Sequence, residues 1–180
     1  MSRIGKLPVP VPEKVTVTAE KDLLKVKGPR GEMEMVIPQG IKVEIGDEIL
    51  ITRERDTKEL SRLHGTTRAH LANRIQGVSQ GHGRTLIVEG KGYQAEVKGR
   101  ILEMQLGFSH KVLFEIPRGL ELDIKPGQNS FTLTVTGIDK QLVGAFSAEL
   151  YRTKPVEPYN LIGFRYSDQY VKRKAVKTIT

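Results

Sequence analysis

Side chains able to do catalytic chemistry are few in this chain and poorly placed. The four histidines, His64, His70, His82 and His110, form no HExxH or other metal-ligand spacing. His64 and His70 lie six residues apart, which sends them to different faces of a helix. Ser147, His110 and Asp139 supply the residue types of a hydrolytic triad, but no nucleophile elbow surrounds the serine. Two glycine strings, GHGR at 81–84 and GKGY at 90–93, resemble phosphate loops only superficially. Neither reads GxGxxG, and GKG has no Ser or Thr to hold magnesium. None of the 180 residues is cysteine, which excludes thiol catalysis, disulfides and Cys-based zinc or iron–sulfur sites. The expectation is a non-enzyme with no catalytic residue, metal, cofactor or small-molecule substrate.

Contact with a polyanion is the chemistry the chain does carry. Its 29 Lys and Arg against 21 Asp and Glu give a net charge of +8. That excess is uneven: net +3 over 1–80, zero over 81–151, and +5 over 152–180. The last segment contains Arg152, Lys154, Arg165, Lys172, Arg173, Lys174 and Lys177 against Glu157 and Asp168. It also holds Tyr159, Phe164, Tyr166 and Tyr170, four of the ten aromatics. Cations neutralise phosphates and release counterions, while ring faces stack on bases or pack on sugars. Being poor in apolar residues, this segment is expected to be loosely held until RNA orders it.

Two further stretches are candidate contacts. In GKGYQA, Gly90 to Ala95, glycines suit a tight hairpin between two strands. They also let a backbone approach a phosphate, within reach of Lys91 and Tyr93. HGTTRAH, His64 to His70, places Gly65, Thr66 and Thr67 inside a helix for which they are poor formers. It offers a second candidate RNA or protein contact at Arg62, His64, Gly65, Thr66, Thr67 and Arg68. Arg62, Arg68 and Arg74 are expected on the face away from the leucines, a basic face whose commoner role is simply to stay wet.

The elements that must position these residues follow from apolar spacing. Met33, Met35 and Ile37 alternate, as do Ile41, Val43 and Ile45, and EILIT follows from Glu48; period two predicts strands. Leu60, Leu63, Leu71, Ile75 and Val78 then repeat at three or four, which predicts a helix with Asp56 as N-cap and Gly77 as its stop. The order recurs. Leu102, Met104 and Leu106, then Val112, Phe114 and Ile116, then Leu120, Leu122 and Ile124, then Phe131, Leu133 and Val135 read as strands. A second helix behind Asp139 should bury Leu142, Phe146 and Leu150.

IPQGIKVEI, Ile37 to Ile45, matches IPRGLELDI, Ile116 to Ile124, at a spacing of 79, and Gly28 matches Gly107 at the same spacing. The caps lie 83 apart, so the second copy gains residues near PGQNS in a hairpin. The predicted fold is α+β: two tandem duplicated domains, each an antiparallel sheet packed against one helix, plus a basic C-terminal tail. The expected boundaries are 1–80, with an N-terminal arm, 81–152 as an RNA-binding repeat, and 153–180 as the aromatic, basic tail. No apolar run approaches the ~18 residues of a spanning helix. MSRIGKLPVPVP has prolines where a signal peptide needs an unbroken apolar stretch. A cytoplasmic protein with no membrane partner is expected.

Six motifs in order carry a family resemblance. They are MSRIGKLPVPVP, KGPRGE (Lys27 to Glu32), LHGTTRAHLAN (Leu63 to Asn73), GKGYQA, TGIDKQLVG (Thr136 to Gly144) and KPVEPYNLIGFRY (Lys154 to Tyr166). Over its whole length the chain resembles the bacterial form of large-subunit ribosomal protein six. The resemblance implies direct binding to 23S ribosomal RNA, and a place at the base of the acidic stalk, near where translation factors dock. Neighbouring large-subunit proteins there would be further partners. It also implies that the second domain and tail make the main RNA contacts. Those fall at Gly90, Gly92 and Tyr93, at Lys154, Pro158, Tyr159, Gly163, Arg165 and Tyr166, and at Lys172 to Lys174. Charge and aromaticity add Tyr170 and Lys177, and Lys91 joins more weakly, since the family more often has a small apolar residue there. Where the family usually has Lys-Gly-Lys after the Pro-Tyr pair, this chain has Asn160, Leu161 and Ile162. The competing class is a non-catalytic protein–protein adaptor whose tail attracts an acidic partner.

Overall fold

The computed structural model describes residues 5–46 and 48–175. They form two compact units. Of the described residues, one unit comprises those from 5 to 82 with 138–140, the other 83–137 with 141–175.

In the first unit, β1 (Val9–Pro10), β6 (Glu48–Arg53) and β5 (Ile41–Ile45) make one antiparallel sheet in the order β1-β6-β5. β2 (Thr16–Glu20), β3 (Leu23–Gly28) and β4 (Gly31–Val36) make a second in chain order. Period-two alternation turns Leu24, Val26, Ile49 and Ile51 inward. α1 (Lys58–Ser79) closes this core with Leu71, Ile75 and Val78.

The second unit repeats the plan. β8 (Gln94–Lys98), β9 (Ile101–Gln105) and β10 (Val112–Glu115) form one sheet. β11 (Leu120–Pro126), β12 (Ser130–Gly137), β7 (His82–Glu89) and β13 (Gly163–Tyr166) form a four-stranded sheet in that order. α2 (Lys140–Thr153) contributes Val143, Phe146 and Leu150 to the core, while Leu142 is half-buried. The predicted hairpin around PGQNS joins β11 to β12.

The duplication reaches the hydrogen bonds. Ile37 N donates to Asp22 O and Ile116 N to Arg100 O, both at 2.7 Å. Ile41 N donates to Pro38 O at 3.2 Å and Leu120 N to Pro117 O at 3.3 Å. Between them, Gly40 and Gly119 take φ of 79° and 87°, the left-handed region that favours glycine.

Five expectations change. Register pairs Lys27 with Thr16 and Gln105 with Gln94, so Gly28 corresponds to Leu106 rather than Gly107; the extra residue enters between β9 and β10. The N-cap of α1 is Thr57, whose Oγ1 accepts from Leu60 N at 3.2 Å, because Asp56 is engaged with Arg53 at 2.8 Å. Gly77 lies inside α1 and is buried; a Cβ there would meet the carbonyl oxygen of Ile138, so close packing rather than termination requires the glycine. GKGYQA is not a hairpin, since β7 and β8 belong to different sheets. The basic segment is not a loose tail over 154–166. β13 pairs antiparallel with β7, Phe164 opposite Val88, and Phe164 is fully buried. A Phe side chain taken fully out of water contributes about 1.5–3 kcal/mol, which a low average hydrophobicity conceals.

Candidate nucleic-acid interface

Gly90 ends β7 and begins the turn. Its N–H donates to Asn129 O at 3.1 Å, and Tyr93 N donates back to Gly90 O at 3.3 Å. The Tyr93 ring lies where a Cβ on Gly90 would stand. Gly92, at φ 77°, faces open space beside the exposed Lys91.

Lys154 holds the turn from below. Its Nζ donates to Leu106 O at 2.7 Å and sits 4.9 Å from the ring centroids of both Tyr93 and Phe108. A lysine so engaged is an internal latch. Arg165 is likewise committed, donating to Glu89 Oε1 at 2.7 Å. Tyr166 stacks on Tyr151 with centroids 5.2 Å apart, and Arg84 lies 5.3 Å from its ring. Gly163 is buried at φ 126°, where a Cβ would come within 2.7 Å of the carbonyl oxygens of Lys154 and Pro155.

The candidate residues therefore divide. Gly90, Tyr93, Lys154, Gly163, Arg165 and Tyr166 build the face, and Lys91, Gly92, Tyr159, Tyr170, Lys172, Arg173 and Lys174 present it. Pro158 O accepts from Lys174 N at 2.9 Å and Tyr159 O from Arg173 Nε at 3.1 Å, which folds the basic run back on the 154–162 loop. Tyr170 is 89% exposed. Lys177 lies outside the described residues.

Sequence reasoning missed Asn129, Ser130 and Asn160. One depression is lined by Glu89, Gly90, Lys91, Asn129, Ser130, Asn160 and Ile162. The next is lined by Tyr159, Asn160, Arg173, Lys174 and Ala175. Asn160 belongs to both, so it joins Lys91 to the basic run. Only the hairpin and turn composition hinted at these positions; their meeting is tertiary. The neighbouring Leu161 holds φ 61°, a left-handed conformation that suits glycine better than leucine.

The second candidate stretch largely dissolves. His64 is buried, with Nε2 2.7 Å from Ile51 O, and Thr67 is buried beside it. Arg68 donates to Leu7 O and Pro8 O at 3.3 Å, and Arg74 to Glu34 O. Gly65 is half-buried, and Thr66 Oγ1 donates to Arg62 O. Of the expected basic face only Arg62 is exposed and uncommitted. The cause is length: an arginine stem spans enough helix surface to reach carbonyls at its margin.

Among the described residues no group of three or more His, Asp or Glu could hold a metal ion, and no helix is long and apolar enough to cross a membrane. Two sheet-and-helix units, with a cationic, amide-lined face on the second, define a duplicated α+β scaffold. A family model described as Ribosomal protein L6 matches residues 11–81 and 89–167, two stretches that follow the duplication. The chain belongs to the ribosomal protein L6 family. It is 44% identical over 179 residues to the large ribosomal subunit protein uL6 of Oleidesulfovibrio alaskensis, covering 99% of this chain and 98% of that one. It is 43% identical over 181 residues to that of Lachnoclostridium phytofermentans and 41% over 179 to that of Rippkaea orientalis, with the same coverage of both chains. Membership makes it a structural protein of the large ribosomal subunit rather than an enzyme.

Proposed function

We propose that the protein binds 23S ribosomal RNA directly through its second unit, with residues 153–175 acting as part of that unit, near the base of the acidic stalk where translation factors dock. The neighbours there would be other large-subunit proteins. The supporting observation is the continuity of Gly90, Lys91, Asn160, Tyr159, Arg173 and Lys174 across adjoining depressions. Helical RNA hides its base edges in a deep groove, so phosphates, 2′-hydroxyls and shape carry most of the recognition. The placing near the stalk rests on family resemblance alone.

The test is the salt dependence of binding to a large-subunit ribosomal RNA transcript. Truncation before Arg152 would remove Phe164 from the core, so the informative truncation follows Tyr170. Loss of Lys172, Arg173, Lys174 and Lys177 should lower the log–log salt slope by up to about 3.6, at roughly 0.7–0.9 per neutralised phosphate. An unchanged slope would remove the basic run from the interface.

A further inference from the structure

The strand edges of the second unit leave a third hollow. β8 and β11 are edge strands of their two sheets. Between them, at the end that carries the glycine turn and the 127–130 hairpin, lies a cleft of about 530 Å³. That falls within the roughly 300–1,000 Å³ of pockets that hold small organic groups. We propose that this cleft takes one unpaired nucleobase of the bound RNA; the inference rests on the reading of this unit as an RNA interface and adds a base-reading element to it.

The lining carries the argument. Ala95, Ile124 and Phe131 supply apolar wall, as a flat ring needs. Gln94, Gln105, Gln128 and Asn129 stand around it, and among the described residues none of their side-chain amides has a protein hydrogen bond. A carboxamide offers a donor and an acceptor side by side, the pattern of a base edge. Phosphate is the wrong occupant, because the one cation in the lining, Lys111, is already paired with Glu103, and Glu96 stands in the same wall. The Glu103 carboxylate is itself occupied by Lys98 and Lys111, so its charge does not bar a neutral base. Asn129 separates this cleft from the depression that holds Lys91 and Asn160. A chain with its phosphates at Lys91 could thus turn one base across the hairpin tip. An extended peptide added to a strand edge would use backbone groups and leave the four amides without a role.

Two measurements on the full chain test this. In the first, side-chain amide resonances are followed by NMR while AMP, GMP, CMP or UMP is added, with ribose 5-phosphate as the baseless control. At least one nucleotide should shift Gln94, Gln105, Gln128 and Asn129 together, and ribose 5-phosphate should not. Equal shifts from ribose 5-phosphate, or none from any nucleotide, overturn the proposal. In the second, Gln94→Ala and Gln105→Ala, both at exposed strand positions, should each weaken binding of the ribosomal RNA transcript about three- to ten-fold with an unchanged salt slope. Wild-type affinity in both variants sinks the base site while leaving RNA binding intact, whereas failure of the unaltered protein to bind the transcript sinks the wider reading. Protection of β8 and β11 backbone amides by large-subunit proteins in an RNA-free extract, with the side-chain amides unmoved, assigns the cleft to a polypeptide and refutes the proposal.

Discussion

The two units share a plan and differ at one strand edge. In the first, the outer strand β1 has two residues and lies among Pro8, Pro10 and Pro12. Proline has no N–H to offer a ladder, so this edge stays short and closed to further strands. In the second, the corresponding β7 has eight residues and its outer edge is taken by β13 from the C-terminal segment. The second unit thus has a fourth strand, and with it a fixed base for the loop before it, which bears Tyr159 and Asn160, and for the basic run after it. Edge chemistry, more than core composition, separates the unit that carries the candidate interface from the one that does not.

Removing the added strand's anchor tests this most severely. Phe164→Ala should destabilise the second unit by about 3–5 kcal/mol, read as lost amide protection in β7, β12 and β13, with the first unit's amides unchanged. Comparable loss in both units would show that their stabilities are not separate. Lys154→Met should cost the second unit about 1.5–3 kcal/mol through the lost charge-assisted bond to Leu106 O. It should leave the salt slope of RNA binding nearly unchanged; a slope lower by about one would make Lys154 a phosphate contact instead.

Paired substitutions of about 1 kcal/mol sharpen the contrast. Thr57→Ala removes the α1 cap and should lower the first unit's stability by that amount. Leu161→Gly relieves a left-handed leucine and should raise the second unit's stability by about as much, measured by denaturant melts of each variant. A destabilising Leu161→Gly would mean that its side-chain packing outweighs the strain. The smallest effect is electrostatic. Hydrogen bonds from Lys111 and then Lys98 hold the Glu103 carboxyl below the ordinary carboxylate value. The unfolded chain therefore binds the proton more readily. The contribution is present above about pH 4.3 and is lost as pH falls through the lower folded value. Glu103→Gln should flatten the second unit's acid limb in that window; an unaltered limb would show the lysines to be idle.

Much of the fold was legible because burial enforces period. Leu102 and Met104, or Ile49 and Ile51, could be read inward from alternation alone, and IPQG against IPRG exposed the duplication through a turn that needs glycine at positive φ. β13 was not legible. Four residues with one core side chain, in a segment dominated by charge, give no periodic signal until a partner edge exists. The candidate site divided for the same reason. Side-chain type marked Lys154, Arg165 and Tyr166 as contacts, but whether a cation meets RNA or a carbonyl depends on what lies within a few ångströms.

Composition, charge placement and the repeat determined by themselves that this is a duplicated α+β protein whose positive charge is concentrated in its last segment, because charge and burial period are properties of the chain in order. Only the tertiary structure decided which cations are free. Leu106 O, Glu89 and the ring of Tyr93 come from distant parts of the sequence, and their nearness turns some basic side chains into fastenings and leaves Lys91, Lys172 and Lys174 facing outward.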